Sequence, residues 1–194
     1  VDYEQTRDYL RIHSETYIDK ILSEHGWSVP TRDSSTTIEP LYPQAVKELE
    51  LSLGPPADSP ASRALESKHG FNYRQCIGEA IYAFVTTRPD IGPAVATLAK
   101  FSSQPADCHF AAIKRVFRYL RQTRSMRIIY CRSRSCHDLP EGNHVRRPLV
   151  EHEHQFIGPS AAEQIAFYVD SSHATDLRNR RSMGGYVGTI GGSA

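Results

Sequence analysis

Asp170 is a residue whose position suggests chemistry. It lies in the segment Tyr168-Val-Asp-Ser-Ser-His-Ala-Thr-Asp176, where a run with strand character ends on a carboxylate. The pleat of a strand can direct such a side chain into a cleft, where a carboxylate is a suitable ligand for a divalent metal ion. One carboxylate alone does not form a metal centre. Asp176 follows in an expected turn, and we interpret it as a solvated aspartate.

A block of basic residues is the second chemical feature. Residues 108–194 carry 13 Lys and Arg against 7 Asp and Glu (13 − 7 = +6), whereas residues 1–107 carry 10 against 15 (10 − 15 = −5). No acidic residue occurs between Cys108 and His137. Such a block favours a polyanionic partner such as nucleic acid.

Three of these basic residues share one face of a predicted helix. Lys114, Arg118 and Arg121 follow one another at i, i+4 and i+7 spacing. We predict that this face contacts nucleic acid through phosphates, without reading sequence, and that binding weakens as salt rises. A solvated cationic face is the alternative. Arg180 and Arg181 are further candidates for nucleic-acid contact.

Other site chemistries are poorly matched. The chain has no Gly-x-Ser-x-Gly elbow and no Gly-rich phosphate loop that opens a helix. Cys76 and Cys108 are expected in the core as reduced thiols. A group of Cys and His residues has neither a CxxC pair nor the spacing of a compact zinc finger, so we interpret it as part of a polar insertion. Its members are Cys131, Cys136, His137, His144, His152 and His154.

The elements that must position these residues predict an α+β fold. Residues 1–13 are typical of a β-hairpin, and Ser14 is the expected cap of a helix that Gly26 ends. Residues 28–70 are rich in Pro, Ser and Thr, and we interpret them as a connector with one helical turn near 45–51.

The rest of the chain predicts helices followed by strands. Apolar periodicity indicates three helices: one over 71–86, a second capped by Asp90, and a third that begins at Pro105-Ala-Asp107. Met126–Cys131 has the pattern of a strand. Segments 165–170 and 182–190 have the pattern of a β-hairpin, and we expect the chain to stop inside a sheet after it.

The order of three stretches resembles the Pol polyproteins of copia-type retrotransposons. They are IHSETYIDKILSEHGW, then YRQCIGEAIYAFVTTRPDIGPAVATLAKFSSQPADCHFAAIKRVFRYLRQT, then FYVDSSHATDLRNRRSMGGYVGTIGGSA. The resemblance implies that residues 1–27 end a reverse transcriptase, that 28–70 are a connector and that 71–131 are a helical thumb or connection region. It further implies that 132–164 are a polar insertion and that 165–194 are the truncated start of a ribonuclease H-like domain.

The same resemblance implies a role for Asp170. The polymerase signature Tyr-x-Asp-Asp has a second carboxylate where this chain has Ser171, so Asp170 corresponds better to the first ribonuclease H aspartate. That nuclease holds two Mg²⁺ ions with several acids. Asp170 would supply one ligand, and Asp176, Arg180 and Arg181 match the family pattern. The segment after Asp170 departs from the Ala-Asp-Trp common in the family.

Two functional hypotheses follow. In the first, the chain is a piece of a retrotransposon enzyme that makes DNA on RNA and hydrolyses the RNA:DNA hybrid, with Mg²⁺ as cofactor, and is inactive alone. In the second, it is a noncatalytic remnant that binds nucleic acid or has a structural role. Expected partners are an RNA:DNA hybrid or template–primer and the rest of the polyprotein. No stretch approaches the roughly 20 apolar residues that span a bilayer, so no membrane partner is expected, and the parent element implies an intracellular location in virus-like particles and the nucleus.

Overall fold

The computed structural model describes residues 1–7, 9–28, 39–131, 165–172 and 182–190. Within these ranges the fold is mixed α+β, as predicted. The strands are β1 (Asp2–Gln5), β2 (Tyr9–His13), β3 (Ile128–Cys131), β4 (Ile165–Ser172) and β5 (Met183–Ile190). The helices are α1 (Glu15–Glu24), α2 (Pro43–Leu51), α3 (Pro60–His69), α4 (Tyr73–Thr86), α5 (Gly92–Ala99) and α6 (Asp107–Gln122), with a 3-10 helix over Pro89–Ile91.

The chain divides into two structural units. The first comprises Val1–Glu4 and Arg11–Ile128, and the second comprises Gln5–Leu10 and Ile129–Ala194. The strands form one sheet in the order β1-β2-β3 and a separate hairpin of β4 and β5. Among the helices in the described ranges, none combines the length and apolar composition that crossing a bilayer requires.

The predicted hairpin and first helix are confirmed. β1 and β2 are neighbours in the sheet, and α1 begins directly after Ser14. Ser14 makes no side-chain capping bond, because its hydroxyl instead pairs with the hydroxyl of Thr87. Gly26 follows the helix with a φ of +68°, a left-handed conformation that glycine adopts without steric cost. Ser14 therefore joins the start of α1 to the end of α4.

The segment predicted as a connector contains two helices, α2 and α3, where one helical turn was expected. In α3 the Ser59 hydroxyl accepts a hydrogen bond from the Ser62 N–H at 3.1 Å, Pro60 is the first helical residue, and Gly70 ends the helix with a φ of +77°. These are ordinary start and stop signals. The helix lacked the apolar stripe that periodicity detects, since it buries no residue completely.

The core of the first unit is formed mainly by α1, α4, α5 and α6. α4 and α5 approach closely at Gly92, where a Cβ atom would lie 2.5 Å from Cε2 of Phe84. The Tyr73 hydroxyl donates a hydrogen bond to the Leu98 carbonyl at 2.9 Å and so joins the same two helices. Fully buried apolar residues of this core include Ile18, Cys76, Ala80, Ala83, Ile91, Leu98, Phe110, Ile113, Val116 and Leu120.

Arg88 and Asp90 have a different role from the one predicted. Asp90 was expected to cap the second helix, but a 3-10 helix intervenes and α5 begins at Gly92. The Asp90 carboxylate instead accepts two hydrogen bonds from the Arg88 guanidinium, at 2.9 and 2.7 Å. Arg88 also donates to the Thr123 carbonyl and hydroxyl oxygens at 3.1 and 2.6 Å. The pair thus joins the turn between α4 and α5 to the end of α6.

Candidate functional site

Asp170 lies inside a strand and not at its end. β4 continues two residues past it because the ladder with β5 continues, and Asp170 pairs with Gly185 in antiparallel register. The residue is exposed. Within the described ranges, Asp170 belongs to no group of three or more potential metal ligands. A single exposed carboxylate does not match the acidic cluster that two Mg²⁺ ions require, so these described residues do not form that nuclease centre.

The predicted basic face lies on α6, and neighbouring segments engage part of it. The Lys114 ammonium donates to the His69 carbonyl at 3.1 Å and lies 5.2 Å from the centre of the Phe71 ring. The Arg121 guanidinium donates to the Trp27 carbonyl at 3.1 Å. Arg118, between them, is half-buried and forms no hydrogen bond or ion pair with another described residue. Arg118 is therefore the member best placed to meet an external anion.

Other members of the basic block also have intramolecular partners. The Arg115 guanidinium stacks over the Tyr42 ring at 3.5 Å and donates to the carbonyl of residue 39 at 3.2 Å. Arg124 and Arg127 form ion pairs with two acids of α1, Asp19 at 3.3 Å and Glu15 at 3.7 Å. The charge difference between the two halves of the sequence is thus partly neutralised within the fold.

The remaining sequence-based candidates lie outside the described residues. These are Arg180 and Arg181, and also Asp176 beyond the end of β4. The same holds for the Cys and His residues of 132–164 that were weighed as zinc ligands. The roles predicted for these residues therefore stay predictions.

A cluster that sequence analysis did not identify lies at the end of α1. His25 Nε2 is 2.7 Å from Glu79 Oε2 and 3.7 Å from Cys76 Sγ. Burial and, to a lesser extent, the nearby Glu79 charge raise the pKa of the Cys76 thiol to about 12. Cys76 and Glu79 are three residues apart on α4, a spacing visible in the sequence. His25 is 51 positions from Cys76, so only the fold brings it to them.

Comparison with known proteins gives distant relatives. No family model and no solved structure matches the chain. The chain is 28% identical over 120 residues to the secreted RxLR effector protein 161 of Plasmopara viticola. It is 30% identical over 122 residues to the retrovirus-related Pol polyprotein from transposon TNT 1-94 of Nicotiana tabacum, and 29% identical over 123 residues to a putative transposon Ty5-1 protein of Saccharomyces cerevisiae.

These matches cover similar shares of this chain and very different shares of the relatives. They span 62%, 63% and 62% of the chain, but 66%, 7% and 30% of the effector, the Pol polyprotein and the Ty5-1 protein. The chain thus spans less than two thirds of each of these relatives. The resemblance to retrotransposon Pol polyproteins is supported as a distant similarity, which an effector protein shares.

Proposed function

We propose that the chain is a piece of a copia-type Pol polyprotein that runs from the end of the reverse transcriptase to the start of ribonuclease H. We further propose that it binds the phosphates of a template–primer or RNA:DNA hybrid and has no catalytic activity alone. The main support is the 30% identity over 122 residues with a retrotransposon Pol polyprotein. The basic face of α6 supplies the binding chemistry.

Arg118 is the proposed phosphate contact. Its guanidinium can offer two parallel N–H donors to phosphate oxygens, a geometry that strengthens a charge-assisted hydrogen bond. Lys114 and Arg121 lie one helical turn to either side of it. The Lys114 ammonium donates to a backbone carbonyl, which removes no charge, so it adds to the positive potential at Arg118.

The binding proposal is tested with a fluorescently labelled RNA:DNA hybrid. Fluorescence anisotropy at low salt should show binding by the wild-type chain and clearly weaker binding by Arg118→Ala. Arg63→Ala is the matched control, because Arg63 is an exposed arginine on α3. Equal losses in the two variants, or no binding by the wild type, would contradict the proposal.

The proposed lack of catalytic activity in this chain is tested separately. Mg²⁺ is proposed as the cofactor of the complete parent enzyme, where Asp170 would join further acids. Incubation of this chain with the hybrid and Mg²⁺ should leave the RNA strand intact, whereas a longer chain with the remaining acids should cleave it. Cleavage by this chain that Asp170→Asn abolishes would show that its own residues suffice.

The alternative function is that of a noncatalytic binding or structural module. The effector relative favours it, because the matched segment makes up 66% of that protein. Sequencing the source gene past Ala194 separates the two: an acidic motif on a following helix supports the polyprotein, and an immediate stop codon supports the module. A Pol piece is proposed to act inside the cell, whereas the relative's name describes a secreted protein.

A further inference from the structure

Three side chains with metal-binding atoms converge in the first unit. His25 directly follows α1, and Cys76 and Glu79 lie on one face of α4. One ligand atom from each lies within 4.8 Å of the other two. We propose that His25, Cys76 and Glu79 form a binding site for one divalent cation of the Zn²⁺ class. This site does not depend on nucleic-acid binding.

The contacts of His25 are better satisfied by a cation than by a proton. Its Nε2 faces both the Glu79 carboxylate at 2.7 Å and the Cys76 sulfur at 3.7 Å. Nε2 of an imidazole carries either one hydrogen or, in one of the two neutral tautomers, one lone pair. One N–H forms one well-directed hydrogen bond, so either the carboxylate or the sulfur is left with only a weak contact. A cation among the three atoms accepts a lone pair from each.

The proposed ligands are held in place by groups around them. The His25 ring stacks on Trp27 with 4.6 Å between centroids and 21° between planes. The Gln75 side-chain amide donates to Glu79 Oε1 at 2.9 Å, on the oxygen that does not face His25. The Cys76 side chain is fully buried. Such supporting contacts fix ligand orientation and raise metal affinity.

The donor set selects the class of cation. A thiolate with an imidazole and a carboxylate suits Zn²⁺, whereas Mg²⁺ and Ca²⁺ prefer oxygen ligands alone. The thiolate and carboxylate together neutralise a 2+ ion once the thiol proton has passed to solvent. Ligand distances of about 2.0 to 2.3 Å require a modest shift of the Glu79 carboxylate. The side chains of His25 and Glu79 are 9% and 14% exposed, so water can reach a fourth position.

Cobalt(II) is the probe for this site, since it replaces Zn²⁺ and a bound thiolate gives it a charge-transfer absorption in the near ultraviolet. The background is the chain with Cys131→Ser and Cys136→Ser, so that those two thiols do not contribute. Titration of Co²⁺ should give that absorption with one ion per chain, and Zn²⁺ should abolish it. Adding Cys108→Ser, at a partly buried cysteine outside the cluster, should leave the absorption unchanged.

Two variants decide between a metal site and a hydrogen-bonded cluster. Cys76→Ser should abolish the thiolate absorption, and Glu79→Gln, which keeps the size of the side chain, should weaken Co²⁺ binding at least about tenfold. Circular dichroism checks that each variant folds. If Cys76→Ser does not fold, the Co²⁺ affinity of Glu79→Gln decides the result. Absence of a thiolate absorption in the background chain, or unchanged affinity in folded Glu79→Gln, would overturn the proposal.

Discussion

Arg88 and Asp90 form a two-bonded ion pair at 2.9 and 2.7 Å, with a guanidinium whose side chain is 1% exposed. We predict that Arg88→Ala lowers the free energy of unfolding by about 3 kcal/mol or more, since it breaks the ion pair with Asp90 and removes the bonds to Thr123. Urea unfolding measures the change. Arg63→Ala, at an exposed arginine, should change stability by less than about 0.5 kcal/mol. A comparable loss in both variants would contradict the buried role of Arg88.

Tyr73 should make the fold sensitive to alkaline pH. Burial raises the pKa of its hydroxyl above the ordinary value of 10.0, and the neutral hydroxyl donates to the Leu98 carbonyl. Above pH 10 the unfolded chain releases this proton while the folded chain keeps it. The stability contribution is therefore complete below pH 10 and is lost as pH rises toward the folded-state pKa.

Tyr73→Phe isolates this effect. The substitution should cost about 1 kcal/mol at neutral pH, because one hydrogen bond is lost, and should reduce the fall in stability above pH 10. Urea unfolding at a series of pH values provides the measurement. Tyr3→Phe, at a tyrosine that is 74% exposed, should leave the alkaline fall as steep as in the wild type. A fall of equal steepness in Tyr73→Phe would contradict the prediction.

Substitution by alanine should change the stability of the fold in opposite directions at two helical glycines. A Cβ on Gly78 of α4 meets nothing within 4 Å, so Gly78→Ala should stabilise the fold by about 0.5 to 1 kcal/mol. A Cβ on Gly92 would lie 2.5 Å from the Phe84 ring, so Gly92→Ala should destabilise it. Thermal unfolding measures both. Adding Phe84→Leu should recover part of the second loss, and an unchanged loss would argue against the close approach.

The contribution of His109 to stability should depend more on its acceptor nitrogen than on the size of its side chain. Its Nδ1 accepts from the Ala106 N–H at 2.7 Å, and its Nε2 lies 2.9 Å from the Leu49 carbonyl oxygen. His109→Leu leaves the Ala106 N–H without this acceptor and should cost about 2 kcal/mol. His109→Gln can still accept that bond in the manner of a capping box, so its loss should be smaller. Equal losses in chemical unfolding would contradict this role.

Local patterns in the sequence predicted much of the fold. The apolar periodicity of α1, α4 and α6 and the alternation in the hairpins are properties of neighbouring residues, so they could be recognised without the structure. The helix α3 was missed because it buries no residue completely, although Ser59, Pro60 and Gly70 marked its ends.

Long-range contacts could not be predicted in the same way. Arg124 pairs with Asp19, 105 positions earlier, so a charge count along the chain overstated the positive charge available to a ligand. The approach of His25 to Cys76 likewise depends on how α1 packs on α4. Arg118 remains the strongest candidate among the predicted residues on α6, because it alone of Lys114, Arg118 and Arg121 has no described partner.

The salt dependence of hybrid binding tests the phosphate-binding role of Arg118 most directly. Association constants of the wild type and of Arg118→Ala should be measured between about 50 and 200 mM salt. Because each neutralised phosphate releases counterions, the wild-type constant should fall steeply, and the slope of its logarithm against that of the salt concentration should be smaller by about 0.7 to 0.9 in the variant. Identical slopes, or wild-type binding that does not change with salt, would contradict the account.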